Sequence, residues 1–208
     1  MSKFNIQPGD LYETIKSSKE KGYVFQNLED NTYNGRTVTI HNNKLLHFAN
    51  CGYLGLEKHP KLIEASIEAL KRYGTQNSFS RAMLSSPLYK ELHELLPIMF
   101  PGYQIVAPTV TLAHCAAIPA LISENDAIIL DAYAHNSMRM ASKICQSNGT
   151  MVILSKHNDM ENIRYLIYRL KKEGKNNIWY CADGIYSIHG NTCNVKGLQQ
   201  LLDEEENF

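Results

Sequence analysis

The sequence predicts an α/β protein of three layers, in which a mostly parallel sheet lies between two layers of helices. From Tyr103 onward, short apolar segments alternate with segments of helical period. The apolar segments are continuous rather than interrupted by polar residues, which is typical of strands that are buried on both faces. Strands that alternate with helices are joined by crossover connections and therefore lie parallel. No internal repeat or low-complexity segment points to another architecture.

Residues 1–45 are predicted to form an N-terminal arm, and residues 46–208 a main domain. Within the arm, DLYETIKSSKEKG has the pattern of a short helix that ends at Gly22. The following RTVTIHNNKLLHFAN predicts two short strands joined by a turn at His41, Asn42 and Asn43. Asparagine favours such a turn because it tolerates the left-handed backbone of a tight hairpin.

Two amphipathic helices are predicted next. HPKLIEASIEALKRYG carries an apolar stripe, with Pro60 at its first helical position and Gly74 at its end. SPLYKELHELLPIMF has a similar stripe, with Ser86 as its cap and Pro87 at its start. The polar segment between them, TQNSFSRAMLSS, has neither a helical nor a strand period.

Strands and helices then alternate along the rest of the main domain. The predicted strands are YQIVAP, DAIILDAY, TMVILS and NNIWYCAD, and the helices between them are TLAHCAAIPALIS, MRMASKICQSNG and NDMENIRYLIYRLKKEG. In sheets of this kind, ligands bind beyond the carboxyl ends of the strands. Three polar clusters follow predicted strands and are expected at that edge, namely APTVTLAH, DAYAHNS and ADGIYSIHG.

Composition and charge exclude several classes of protein. Lys plus Arg and Asp plus Glu both total 21, so the surface lacks the excess positive charge of a nucleic-acid-binding protein. No apolar run has the length of a membrane span, and the first ten residues lack the apolar core of a signal peptide, so a cytoplasmic location is expected. The five cysteines form no Cys-x-x-Cys pair, which favours reduced, buried thiols over a zinc site.

Each polar cluster alone also has an ordinary structural explanation. Thr109 and Thr111 lie at a predicted helix N-terminus, which either binds a phosphate or is simply capped by threonine. His135 is either a site residue or a histidine whose ring bonds a backbone carbonyl. Asp183-Gly184 opens a segment rich in titratable residues, but Asp-Gly also marks a turn. The sequence contains no glycine-rich dinucleotide fingerprint and no P-loop.

Taken in order, the motifs resemble the α-oxoamine synthase family of pyridoxal 5′-phosphate (PLP) enzymes. Four segments carry the resemblance, which extends from about Thr37 to the end: FANCGYLGLEKHPKLIEASIEALKRYG, SFSRAMLSSPLYKELHELL, DAIILDAYAHNSM and DGIYSIHGNTCNVKGLQQLL. The pairing of YLGLEKHP with DAYAHNS is the most specific part. Members of the family include 8-amino-7-oxononanoate synthase, 2-amino-3-ketobutyrate CoA ligase, 5-aminolevulinate synthase and serine palmitoyltransferase. The resemblance implies the large domain of PLP-transferase fold-type I, shared with class I/II aminotransferases, and a homodimer.

The resemblance also implies which residues meet PLP. His135 corresponds to the histidine that stacks on the pyridine ring, and Ser187 to the serine that contacts the phenolic oxygen, so both are expected to be catalytic. Asp183 takes the place of a glutamate in the cofactor site. The family's phosphate loop aligns with three consecutive residues, Val110, Thr111 and Leu112. No metal is implied.

The sequence departs from the family pattern in three places. The Ser-Gly of the phosphate loop is absent, so the resemblance implies phosphate contacts from Thr111 and backbone amides. Cys51 replaces an asparagine that seats the amino-acid substrate in relatives. The segment SIHGN stands where SMDGD is usual, which puts His189 in an acidic position.

The implied activity is the decarboxylative condensation of an amino acid with an acyl thioester, either acyl-CoA or acyl-carrier protein, to give an aminoketone. The family's Schiff-base lysine and the aspartate that pairs with the pyridine nitrogen correspond to positions beyond Phe208. The large domain is therefore expected to be incomplete at its C-terminus, and the isolated chain to be inactive. Three alternatives stay open: a non-catalytic partner subunit of the same fold, a class I/II aminotransferase, and an unrelated nucleotide-binding α/β domain.

Overall fold

The computed structural model describes residues 8–76, 79–205 and 208. Contacts between residues divide the chain into two compact units, residues 1–91 and 92–208. The boundary expected after residue 45 stays a prediction. In the described ranges, no helix combines the length and the apolar character needed to cross a membrane.

The first unit contains the predicted arm helix and hairpin. Helix α1 spans Pro8–Glu20, and strands β1 (Thr37–Ile40) and β2 (Asn43–Leu46) pair antiparallel. The turn between the strands consists of His41 and Asn42, whose φ angles are 51° and 60°. Two consecutive residues with positive φ form the turn that matches the twist of a hairpin. The predicted turn is thus confirmed at His41 and Asn42, whereas Asn43 is the first residue of β2 and pairs with Ile40.

Helices α2 (Pro60–Tyr73) and α3 (Pro87–Met99) confirm the next two predictions, and the division between the units falls within α3. Gly74 ends α2 with a φ of 79°, and its amide donates to the Leu70 carbonyl at 2.9 Å. The Ser86 hydroxyl accepts from the amide of Leu88 at 3.4 Å, as expected of a cap. Residues 75–76 and 79–86 form neither helix nor strand, whereas 77 and 78 lie outside the described residues.

The second unit is built on a parallel sheet of three strands. These are β3 (Ala127–Asp131), β4 (Met151–Ser155) and β5 (Ile178–Cys181), in the order β4-β3-β5. Ala127 pairs with Met151 on one side and with Ile178 on the other. Four helices accompany the strands: α4 (Val110–Leu121), α5 (Asn136–Ser147), α6 (Met160–Lys172) and α7 (Val195–Glu204).

Alternate residues of β3 face the two sides of the sheet, because successive side chains of a strand point in opposite directions. Ile129 packs in a buried cluster with residues of α6 and α7, including Ile167 and Leu201. Ile128 packs on the opposite side with Cys145 of α5 and, at the edge of that cluster, Ile118 of α4. The sheet thus has helices on both faces, which confirms the predicted three layers.

Trp179 of β5 belongs to the same side of the sheet as Ile128. Its indole Nε1–H donates to Asp126 Oδ2 at 3.4 Å. Asp126 is buried immediately before β3, and its other oxygen, Oδ1, accepts from the side chain of Asn177 at 2.9 Å. The carboxylate therefore ties the start of β3 to the start of β5.

The predicted strand YQIVAP does not form. Residues 103–108 belong to no strand, and the described strands β3, β4 and β5 pair with one another instead. The side-chain amide of Gln104 donates to the carbonyls of Phe100 and Gly102 at 2.6 and 2.5 Å, and Ile105 is exposed. A strand needs a neighbour to satisfy its backbone groups, and an apolar pattern alone does not supply one.

Candidate active site

Two of the predicted site segments meet where β3 and β5 end. These strands are adjacent and parallel, so the segments that follow them emerge side by side at the same edge. The backbone amide of His135 donates to Asp183 Oδ2 at 2.7 Å, although the two residues are 48 positions apart. The structure therefore brings together His135 and Asp183, as the sequence predicted.

His135 is the N-cap residue of α5, with φ −54° and ψ 150°. Its ring nitrogen Nδ1 accepts from the backbone amide of Ser137 at 3.2 Å and lies 2.7 Å from the Ser137 hydroxyl oxygen. An imidazole thus fills the capping role that Ser, Thr, Asp or Asn usually takes. The ring is exposed, but the Asp183 contact on its backbone and the Ser137 contacts on Nδ1 fix its position.

Ser137 also connects His135 to helix α4. Its hydroxyl oxygen lies 3.0 Å from His114 Nδ1, and Ser137 is 1% exposed. His114 ends the predicted polar cluster APTVTLAH, but sequence reasoning did not single it out, although it and Cys115 are the two ionisable side chains of the mainly apolar helix α4. A polar residue on such a helix needs a buried partner, and this was the signal available.

The N-terminus of α4 carries the three residues aligned with the phosphate loop. Thr109 is the cap: its side chain accepts from the Leu112 amide at 3.1 Å, and its carbonyl accepts from the Ala113 amide at 3.0 Å. The amides of Val110 and Thr111 lie in the first helical turn and so have no intrahelical acceptor. These amides and the Thr111 hydroxyl are the groups suited to an anion, and their role stays a prediction.

Ser187 lies at the exposed tip of the loop that follows β5. Backbone bonds hold this loop: Tyr186 N to Asn191 O at 2.9 Å, and Cys193 N to Gly184 O at 3.1 Å. Tyr186 is fully buried and anchors the loop. The hydroxyl of Ser187 is therefore available to a ligand, and its contact with the phenolic oxygen of PLP stays a prediction.

A buried carboxylate at the end of β3 organises the neighbouring loops. Asp131 has no exposed surface and accepts four hydrogen bonds, from Tyr133 N (2.8 Å), His157 Nδ1 (2.9 Å), Tyr180 Oη (2.8 Å) and Asn158 N (3.2 Å). Burial opposes the charge of Asp131, but these hydrogen bonds together outweigh it and lower the pKa of the carboxyl. Burial, followed by the bond to Asp131, raises the pKa of Tyr180.

His157, which follows β4, is held on all sides. Its ring centroid lies 4.6 Å from that of Tyr133 and 4.4 Å from that of Tyr186, and Tyr133 lies 4.4 Å from the ring of His189. Its Nδ1 bonds Asp131, and Asn191 Nδ2 lies 2.7 Å from its Nε2. Both ring nitrogens have hydrogen-bond partners within the protein, so His157 connects the loops that follow the strands. In the sequence, the one indication that His157 belongs to this edge was its position just after a predicted strand.

The cysteines of the chain are free thiols in the structure. Burial, with a smaller contribution from nearby Cys145, raises the pKa of Cys181 to about 11. Cys181 therefore stays protonated at neutral pH and behaves as a small apolar side chain. The expectation of buried thiols holds for Cys145 and Cys181 only, because Cys115 and Cys193 are half-buried and Cys51 is exposed.

No protein-family profile matches the chain. The chain is 28% identical to a provisionally named 8-amino-7-oxononanoate synthase of Thermodesulfovibrio yellowstonii, over 94% of this chain and 50% of that protein. It is 30% identical to a serine palmitoyltransferase of Sphingobacterium spiritivorum, over 93% of this chain and 48% of that protein. The chain thus spans about half the length of these curated relatives.

Solved structures show the same fold. A serine palmitoyltransferase of S. paucimobilis, with a bound adduct of PLP and myriocin, matches with a TM-score of 0.80 at 22% identity, over 98% of this chain and 51% of that one. An 8-amino-7-oxononanoate synthase of Francisella tularensis matches with a TM-score of 0.56 at 19% identity, over 74% and 41%. These matches confirm the PLP-transferase fold. With the sequence likeness to relatives of both names, they show that the chain belongs to the α-oxoamine synthase family of PLP-dependent enzymes.

Proposed function

We propose that the complete protein is a PLP-dependent acyltransferase that condenses an amino acid with an acyl thioester, with release of carbon dioxide and formation of an aminoketone. The observation that carries this proposal is the placement of His135 at the ligand-binding edge of the sheet, fixed by Ser137 and Asp183. The family resemblance assigns the stacking histidine to the same residue. The acyl donor is an acyl-CoA or an acyl-carrier protein, and the active form is a homodimer.

The donors at this edge fit the chemistry of PLP. Its dianionic phosphate suits the free amides of Val110 and Thr111, where the α4 dipole also favours negative charge. Its phenolic oxygen suits the exposed hydroxyl of Ser187, and its flat ring suits the exposed imidazole of His135. When bound, PLP supplies an electron sink for the carbanion formed at the substrate's α carbon.

The contribution of His135 follows from how it is held. Because Nδ1 is engaged by Ser137, the ring has one orientation, and Nε2 is the nitrogen left to hold or move a proton. An imidazole in that place can assist proton transfer at the α carbon, where general acid–base groups typically contribute factors of about 10²–10⁴. Asp183 acts on the backbone of His135 and so positions it.

An absorbance titration of the complete protein with PLP tests cofactor binding. A visible band that borohydride reduction fixes onto one lysine, identified by peptide mapping, is expected of a catalytic member. His135→Ala should weaken PLP binding or perturb the band, whereas the matched change His59→Ala, at the start of α2, should do neither. A folded protein without a band would contradict the catalytic proposal and leave the non-catalytic partner subunit as the explanation.

A product assay tests the reaction. Incubation of the PLP-loaded protein with amino acids and acyl-CoA should release free CoA and carbon dioxide in equal amounts. An oxo acid formed without release of either product would instead identify an aminotransferase. Acyl-carrier protein replaces acyl-CoA in a parallel assay, which separates the two acyl donors.

A further inference from the structure

We propose that His114 is a positioning residue, which acts through the hydroxyl of Ser137 to hold His135 in the tautomer with its proton on Nε2. Three groups on two helices form one chain of hydrogen bonds, His114 Nδ1, Ser137 Oγ and His135 Nδ1. Neither His114 nor Ser137 needs to touch a ligand for this role. The inference concerns residues of α4 and α5 that the family resemblance did not single out.

The two distances give the direction of the chain. A serine hydroxyl has one proton, so Ser137 can donate to only one of the two imidazoles. With an oxygen acceptor, hydrogen bonds donated by O–H are typically about 2.7–2.8 Å long and those donated by N–H about 2.9–3.0 Å, so a hydroxyl donor generally approaches its acceptor more closely. The 2.7 Å contact with His135 therefore fits donation by the hydroxyl, and the 3.0 Å contact with His114 fits donation by the ring N–H.

A second observation gives the same direction. The backbone amide of Ser137 points to His135 Nδ1 at 3.2 Å, and an amide N–H can only donate. This favours a lone pair on Nδ1 of His135, and so a proton on Nε2 of the neutral ring. At 3.2 Å the amide bond is long, and the 2.7 Å contact with the hydroxyl is the stronger of the two constraints. Ser137 is 1% exposed, so water does not compete for its hydroxyl.

This arrangement requires an unusual tautomer of His114. If His114 donates from Nδ1, its neutral ring has a bare Nε2, the reverse of the tautomer that imidazole side chains favour in water. Donation into the Ser137 oxygen also polarises the O–H and strengthens its bond to His135. The two histidines should thus carry their protons on opposite ring nitrogens.

For the reaction, the inference rests on the proposed function. His135 then meets its ligand with an Nε2–H and acts first as a proton donor. Its Nδ1 lone pair is engaged by Ser137 and is not offered to the ligand.

Long-range ¹H–¹⁵N spectra of the ¹⁵N-histidine-labelled complete protein report which ring nitrogen carries each proton. We expect Nε2–H for His135 and Nδ1–H for His114. Ser137→Ala should return His114 to the Nε2–H form. His114→Leu should leave His135 as a mixture of tautomers, whereas His114→Asn retains an amide N–H near the Nδ1 position and should restore the single form. His59 serves as the internal control and should not change.

A proton on His135 Nδ1, or on His114 Nε2, in the unmodified protein would overturn the inference, and this reading does not depend on any variant being folded. The expected tautomers without a PLP band would contradict the proposed function alone. A PLP band with the opposite tautomers would contradict this inference alone.

Discussion

Asp131 gathers hydrogen bonds from the segments that follow β3 and β4 and from β5 itself. A buried carboxylate is costly unless hydrogen bonds compensate its lost hydration, and here four donors surround it. Tyr133, His157 and Tyr180 are thereby fixed around one charge. The edge of the sheet that carries His135 is thus built on a carboxylate that has no exposed surface.

Asp131→Asn should lower the free energy of unfolding by about 3 kcal/mol. The substitution removes the buried negative charge, and the NH₂ group of asparagine would face donors that need an acceptor. Urea unfolding measures this change. Asp159→Asn is the matched control, since Asp159 caps α6 by accepting from the Asn162 amide at 2.9 Å and asparagine caps equally well. A loss below about 1 kcal/mol for Asp131→Asn would show that the network contributes little.

The same carboxylate predicts the acid sensitivity of the fold. The pKa of Asp131 is lowered in the folded state from its ordinary value of 3.8. Its contribution is therefore complete above pH 3.8 and is lost as the pH falls through the lower folded value. Urea unfolding at a series of acidic pH values should show Asp131→Asn to be less pH-dependent than the unmodified protein. Parallel curves would contradict the prediction.

At the scale of residues, the sequence predicted His135 and Asp183 because both follow strands whose apolar pattern is unmistakable. It did not reveal the bond from His157 to Asp131, which joins residues 26 positions apart. It missed the contact of His114 with Ser137 for the same reason, since that pair is 23 positions apart. Such contacts depend on how strands and helices pack, which local periodicity does not encode.

At the scale of elements, two threonines at the start of α4 are expected to have different roles, Thr109 in capping the helix and Thr111 in binding PLP. Thr109→Ala removes the cap and should cost about 1 kcal/mol of stability with little effect on PLP affinity. Thr111→Ala should leave stability nearly unchanged and weaken PLP binding about tenfold, the effect of losing one bond to a charged group. Urea unfolding and PLP titration of both variants provide the comparison. Equal effects of the two changes on PLP affinity would contradict the assignment.

Helix α6 is held by its buried face. Ile167 is completely buried in the cluster under β3, whereas Tyr165 on the same helix is 61% exposed. Ile167→Ala should therefore lower the free energy of unfolding by about 3 kcal/mol, through lost burial and the cavity left behind. Tyr165→Ala should change it by less than about 0.5 kcal/mol. Thermal or urea unfolding measures both, and similar losses would show that α6 is not packed as described.

The elements differ in how far the sequence determined them. Strand β3 was predictable because all five of its residues are buried, so its apolar run is continuous up to Asp131. The hairpin was predictable because His41 and Asn42 occupy positions that require positive φ. YQIVAP has a strand composition but no pairing partner in the described sheet, and composition cannot report a missing neighbour.

At the scale of the whole molecule, the proposed homodimer makes a simple prediction. The complete protein should elute at twice its sequence mass when light scattering is recorded during size-exclusion chromatography. Two exposed apolar residues of the first unit support this prediction, because Tyr53 and Leu54 are 90% and 82% exposed. Apolar side chains that are exposed on a subunit commonly mark a contact surface. A monomeric mass across the micromolar concentration range would contradict the prediction.

The position of Trp179 determines what tryptophan fluorescence reports when this protein unfolds. It is the one tryptophan in the 208-residue sequence, and it lies on β5, bonded to Asp126. Its fluorescence is therefore an optical reporter of the parallel sheet in residues 92–208. Compared with circular dichroism, which records helices of both units, this single emission signal would tell whether the two units melt together or one after the other.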